Sequence, residues 1–187
     1  MITVVSGLPR SGTSLMMQML AAGGLAPLTD GVRAADANNP RGYFEWEKAK
    51  SLPQNPAFIA EAEDMVVKII SMLLPSLPQN HSYKVIFMER PLSEVAASQA
   101  AMIHKLGTQG AGLAPESLAR TLEAHLKQIK ASLKLRPEIG VCWMDHHRVL
   151  DDPRSAAITI QKFLNTPLDV AAMTAQVDPS LYRQRSV

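Results

Sequence analysis

The first hydrophobic run, residues 2–6 (ITVVS), is short, β-branched and ended by Gly7, the pattern of a central parallel strand running into a glycine loop. Residues 14–22 (SLMMQMLAA) follow, apolar almost all round and rich in helix formers, so a buried helix is expected there. Strand, glycine loop and helix in that order open a βα unit. Residues 23–56 lose all periodicity and carry the turn-rich NNPRGY, which predicts a long excursion with at most short elements. Loops of that length inside a compact domain are usually functional. Residues 65–74 (MVVKIISMLL) fit a strand, a helix, or a strand running into a helix, because a short apolar run does not distinguish them. Residues 84–88 (KVIFM) predict a buried strand, and 91–106 a helix with proline in its first turn. A loop at 107–112 leads to a long amphipathic helix over 115–135. Residues 140–144 (GVCWM) read as a further strand, buried by the look of Val141 and Trp143, and Asp152-Pro153 opens a helix through Leu164. Apolar strands alternating with helices predict an α/β fold with a central parallel sheet covered on both faces.

Composition narrows the function classes. A chain of 187 residues is long enough for one domain with a substantial core, expected to span 1–187. Hydrophobic residues at 47% and charged residues at 19% are an ordinary globular balance. The formal net charge is only +2, so nucleic acid is not an expected partner. The two most apolar stretches are broken by Gly23, Gly24, Pro27, Lys68 and Pro75, and neither offers a membrane span. The amino terminus, MITVVSG, lacks the basic stretch and apolar core of a leader, and the single Cys142 excludes an internal disulfide. A cytoplasmic location is the expectation. Oligomeric state is not readable from the pattern.

The chemistry concentrates in GLPRSGTS, residues 7–14. It fits the phosphate-loop pattern G-x-x-x-x-G-K followed by Ser or Thr, except that Thr13 stands in place of the lysine. Backbone N–H groups of such a loop and the helix N-terminus behind it form a concave anion site. Gly7 and Gly12 permit the tight backbone, Thr13 and Ser14 add hydroxyl donors, and Arg10 supplies charge from within the loop. The expected architecture is therefore a three-layer fold like that of the P-loop NTPases. Loss of the lysine argues against γ-phosphoryl transfer and leaves phosphate binding intact.

These residues resemble the sulfotransferases that use 3′-phosphoadenosine-5′-phosphosulfate (PAPS). Their loop reads Pro, Lys or Arg, Ser or Thr, Gly, Thr, then Thr or Ser, and Pro9, Arg10, Ser11, Gly12, Thr13 and Ser14 match at every position. The form GLPRSGTSLM is most similar to the tyrosylprotein and bacterial branches. The family also has a strand ending in arginine, with a serine eight residues later in the following helix; here KVIFMER ends at Arg90, and Ser98 lies eight residues on. The resemblance implies that Arg90 and Ser98 hold the 3′-phosphate and that Thr13 and Ser14 bind the 5′-phosphate. Arg10 and Lys68, the latter where the family often has a lysine, would stabilise the leaving phosphate and the transferring group. Asp152-Pro153 and KFLNTPL at 162–168 resemble the family's stretch near its C-terminal helix.

Three departures stand out. Ile69, Ile70 and Ser71 occupy the positions where cytosolic members place a catalytic histidine. The glycine-rich C-terminal cofactor motif is missing, and Arg183 and Arg185 in LYRQRS are candidates to replace it against the 3′-phosphate or adenine. The chain is also short for the family. The catalytic base is expected to be Glu45, in NPRGYFEWE, with Glu47 and Asp36 as alternatives. The implied reaction is sulfuryl transfer from PAPS to a hydroxyl or amine of a small-molecule or peptide acceptor, with no metal.

Other readings remain open on the sequence. An ATP- or GTP-dependent kinase or hydrolase would need a magnesium-binding acid at a strand end, which Asp145 or Glu89 supplies. A non-catalytic nucleotide-binding protein would keep the loop alone. His146 and His147, read as continuing a strand, point to opposite faces and make poor joint metal ligands. All five histidines are expected in core or surface roles, with His104 of most interest because it follows the Arg90 helix. Met16, Met17 and Met19 are expected to pack in the core. Tyr43, Phe44 and Trp46 either line a substrate site or pin the excursion.

Overall fold

The computed structural model describes residues 1–36, 39, 41–106, 115–178 and 180. Five strands form one sheet in the order β2-β3-β1-β4-β5: β1 Ile2–Gly7, β2 Pro27–Leu28, β3 Val66–Lys68, β4 Tyr83–Glu89 and β5 Ile139–Asp145. Every pairing is parallel, with Thr3 opposite Val66, Ile2 opposite Tyr83 and Tyr83 opposite Ile139. β1 is central and all six of its residues are buried, as its unbroken apolar run predicts.

Alternation along the strands divides the core between the two faces. Val4, Val67, Val85 and Phe87 join one cluster with Trp46, Phe58, Leu74, Ile129 and Leu133. Val5, Val66, Ile86, Met88 and Met144 join the other with Met16, Met17, Met19, Ile160 and Met173. The first face is covered by helix α3 (Pro115–Lys134) and by 3₁₀ turns; the second by α1 (Thr13–Ala22), α5 (Pro153–Leu164) and α6 (Val170–Thr174). All three early methionines are fully buried, as expected of core packing. Helix α2, Leu92–Leu106, follows β4 directly.

Residues 65–74 resolve into β3 followed by a 3₁₀ turn, Ser71–Ser76, which contains Pro75 and so does not extend as an α-helix. The described residues of the irregular stretch 23–56 carry β2 and the 3₁₀ turn Glu47–Ser51, and a second 3₁₀ turn, Pro56–Ala62, starts at its end. Asp152 caps α5 by accepting from the Ser155 amide at 2.9 Å, with Pro153 in the first turn.

Two expectations need correcting. β5 is an edge strand, paired only with β4, so Gly140, Trp143 and Asp145 are exposed rather than buried. Trp143 keeps one face on Phe87 and lies beneath the Lys130 ammonium, 5.0 Å from the ring centroid. His146 and His147 do not continue that strand. They open a short helix, α4 (His146–Asp151), because the Asp145 carboxylate accepts from the Arg148 amide and turns the chain. The loop expected at 107–112 lies outside the described residues.

Candidate active site

Parallel pairing sends the ends of β1, β3, β4 and β5 to one edge of the sheet, where ligands of open α/β folds bind. The loop after β1 is tightly wound: Gly7, Arg10 and Gly12 all have positive φ, at 148°, 73° and 97°. A Cβ on Gly7 would lie 2.4 Å from Ser11 Oγ and 2.7 Å from the Met88 carbonyl oxygen. A Cβ on Gly12 would lie 2.4 Å from His146 Cδ2. Both glycines are therefore demanded by close approach as well as by conformation. Gly12 also caps α1 without a side chain, leaving the first-turn N–H groups to face the cavity.

That cavity has a volume of about 480 Å³. Five cationic side chains line it, Arg10, Arg33, Lys50, Lys68 and Arg90, against two described carboxylates, Glu45 and Asp178. Ile69, Ile70, Leu73 and Met102 give it an apolar wall. Arg10 Nε donates to Ser98 Oγ at 3.0 Å, and Arg90 Nη1 donates to the Arg10 carbonyl at 3.0 Å. The loop and the start of α2 are thus joined through one residue, at its side chain and its backbone.

No family model matches the sequence, and no curated protein matches it. Solved structures do. The sulfotransferase domain of a Synechococcus olefin synthase aligns with a TM-score of 0.56 at 16% identity, covering 100% of this chain and 88% of that one. A sulfotransferase domain from the curacin biosynthetic pathway gives 0.56 at 17%, covering 95% and 77%. A retinol dehydratase, solved with androsterone and the inactive cofactor PAP, gives 0.54 at 14%, covering 95% of this chain and 63% of its own. The chain has the sulfotransferase fold.

Within that fold the residues singled out from the sequence separate clearly. Pro9, Arg10, Gly12, Thr13, Ser14, Glu45, Lys68, Arg90 and Ser98 all line the cavity. Ser11 does not; it is 1% exposed and packs its hydroxyl against Gly7. Arg183 and Arg185 lie outside the described residues. Lys68 Nζ donates to Ser14 Oγ at 3.1 Å and to the Tyr43 carbonyl at 2.7 Å. Burial brings its pKa down to about 8, with Arg33 and Arg10 adding to the effect and Glu45 opposing it. Burial likewise lowers the pKa of Arg10.

Glu45 Oε1 accepts from Arg33 Nη1 at 2.8 Å and lies 3.9 Å from Lys68 Nζ. The alternatives sit elsewhere: Asp36 takes the Tyr43 hydroxyl at 2.9 Å, Glu47 pairs with Lys50 at 2.5 Å, and neither lines the cavity. Tyr43 and Trp46 both line the cavity and pin the excursion, Trp46 packing edge-to-face on Phe58 at 5.0 Å. The acids that a kinase reading requires are absent from the lining among the described residues. Asp145 caps α4, and Glu89 pairs with Lys130 at 2.6 Å.

Sequence reasoning missed Arg33, His146 and Glu94. Arg33 stacks over the Tyr43 ring at 3.5 Å, and nothing in an aperiodic stretch announces such a contact. His146 lines the cavity, its pKa pushed down to about 4 by burial and then by the Arg90 charge. Glu94 did leave a signal, since it stands four residues after Arg90 at a helix start. His147 Nε2 lies 3.0 Å from Glu94 Oε1, while two other histidines have contacts apart from the loop, His125 Nε2 2.9 Å from Ser71 Oγ and His81 beside Tyr83.

Proposed function

We propose that this protein transfers a sulfuryl group from PAPS to a hydroxyl or amine of a small-molecule or peptide acceptor. The observation that carries the reading is the junction at Arg10, where the phosphate loop meets Arg90 and Ser98 on one cavity wall. Two anion-binding devices side by side suit a nucleotide phosphorylated at both 5′ and 3′ positions. A neighbour in fold that holds PAP adds support. The residues fit such a ligand: the positive-φ glycines let the loop wind tightly behind the start of α1, and among the described lining residues the cations outnumber the carboxylates.

When bound, PAPS supplies the sulfuryl group and departs as adenosine 3′,5′-bisphosphate. Thr13, Ser14 and the first-turn N–H groups of α1 bind the 5′-phosphate. Arg90 and Ser98 hold the 3′-phosphate, and Arg183 and Arg185 are assigned to the 3′-phosphate or adenine. Arg10 and Lys68 stabilise charge on the leaving phosphate, a positioning and electrostatic role that needs no metal. Glu45, the cavity carboxylate beside Lys68, takes the acceptor proton at its carboxylate oxygen. No helix among the described residues is long and apolar enough to cross a membrane. The reading includes a cytoplasmic protein without membrane or nucleic-acid partners.

The deciding experiment is calorimetric titration with adenosine 3′,5′-bisphosphate, with and without Arg90→Ala, beside ATP with magnesium. Expected are tight bisphosphate binding, weak ATP binding, and a loss of about tenfold or more in the variant, the contribution of charge-assisted hydrogen bonds. Preference for ATP with magnesium, or indifference to the Arg90 change, sinks the proposal. Turnover of PAPS then separates an enzyme from a protein that only binds the nucleotide.

A further inference from the structure

Glu94 is a carboxylate that the reaction just proposed does not use, yet it is only 2% exposed. Removing a carboxylate from water this completely is costly unless its charge is compensated. Its two oxygens are shared between elements. Oε2 accepts from Arg90 Nε at 2.8 Å, and Oε1 lies 3.0 Å from Nε2 of His147 on α4. Arg90, whose side chain is 8% exposed, is therefore held at two points of its planar guanidinium: Nε by Glu94 and Nη1 by the Arg10 carbonyl. Two anchors on a rigid plane fix its orientation. Arg90 lines the cavity and Glu94 stands behind it, outside the lining.

We infer that Glu94 is a positioning residue, which aims the Arg90 guanidinium at the 3′-phosphate of the ligand while His147 ties it to α4. The inference rests on the sulfotransferase reading. Its sign separates it from plain electrostatics. A buried negative charge beside the anion site weakens anion binding by Coulomb repulsion, so deleting it tightens the complex if charge is all that matters. If orientation matters more, deletion loosens the complex, and only for ligands that carry a 3′-phosphate.

The test is the ratio of dissociation constants for 5′-AMP and adenosine 3′,5′-bisphosphate, measured by calorimetry in wild type, Glu94→Ala, Glu94→Gln and Arg90→Ala. Glu94→Ala is expected to lower the ratio about tenfold while 5′-AMP affinity holds, one charge-assisted hydrogen bond's worth of alignment. Glu94→Gln shifts it less in the same direction, and adding Glu94→Ala to Arg90→Ala lowers it no further. General loosening of the fold lowers both affinities together and leaves the ratio alone. Should Glu94→Ala not fold, Glu94→Gln decides the matter by itself. A wild-type ratio near one overturns the sulfotransferase reading and this inference with it. A large wild-type ratio that the Glu94 variants keep or increase overturns the inference alone.

Discussion

Lys68 carries its charge largely out of water: its side chain is 9% exposed, with the ammonium between Ser14 and the Tyr43 carbonyl and a pKa lowered to about 8. An anion arriving beside it favours the protonated form and raises that pKa again. Binding adenosine 3′,5′-bisphosphate should then take up a proton. Affinity is highest below pH 8 and falls as pH rises through 8 towards the pKa of the bound state. At a pH half a unit above the midpoint the uptake approaches roughly three-quarters of a proton. Titrations at that pH in two buffers of different ionisation heat measure it directly, and Lys68→Arg is expected to abolish it. Equal apparent enthalpies in both buffers would remove Lys68 from the binding site. At this scale the sequence was informative wherever residues are linked by a motif or a helical repeat. Arg10 could be read within the loop, and Ser98 two turns along the helix after Arg90. Arg33 reaches the same cavity from a stretch without periodicity, and only the folded chain reveals its stacking on Tyr43.

Element α4 is where pattern reading failed, and its histidine makes a measurable contribution to stability. An apolar strand followed by two histidines looks the same whether the strand continues or a carboxylate caps a new helix. The choice was made by Asp145, whose side chain accepts from the Arg148 amide. The turn brings the His146 ring onto Gly12, and the residue is 6% exposed. Its pKa falls from the ordinary 6.5 to about 4, so the unfolded chain takes a proton that the folded one refuses. The associated stability is fully present above pH 6.5 and is lost as pH falls through about 4, on the order of 3 kcal/mol in all. Melting temperatures of wild type and His146→Leu between pH 7 and pH 4 check this. The wild type is expected to fall more steeply, and parallel curves would place the acid sensitivity elsewhere. β5 failed for a related reason. A run of apolar residues does not say whether a strand is central or at an edge; β5 pairs with β4 alone, and Trp143 lies on the sheet face with Lys130 of α3 over its ring.

For the whole molecule, unbroken apolar strands alternating with helices were enough to predict a parallel α/β sheet with two covered faces. The order β2-β3-β1-β4-β5 was not legible, because pairing partners far apart in sequence leave no local trace. That order is what gathers charge. The chain has 19 basic and 17 acidic residues, nearly balanced, yet the cavity alone holds five cations against two described carboxylates. The rest of the surface is therefore close to neutral, and long-range attraction is focused on one edge of the sheet. Salt should act on binding far more than on folding. Raising sodium chloride from about 0.05 to about 0.5 M is expected to weaken adenosine 3′,5′-bisphosphate binding by roughly tenfold, while the melting temperature of the free protein moves by no more than about 2 °C. Adenosine, which has no charge to screen, is the control, and its affinity should stay flat across the series. If adenosine weakens in parallel, salt is perturbing the pocket itself. If the bisphosphate is indifferent to salt, the cations are spent on their own partners, Arg33 on Glu45 and Lys50 on Glu47, rather than on the ligand.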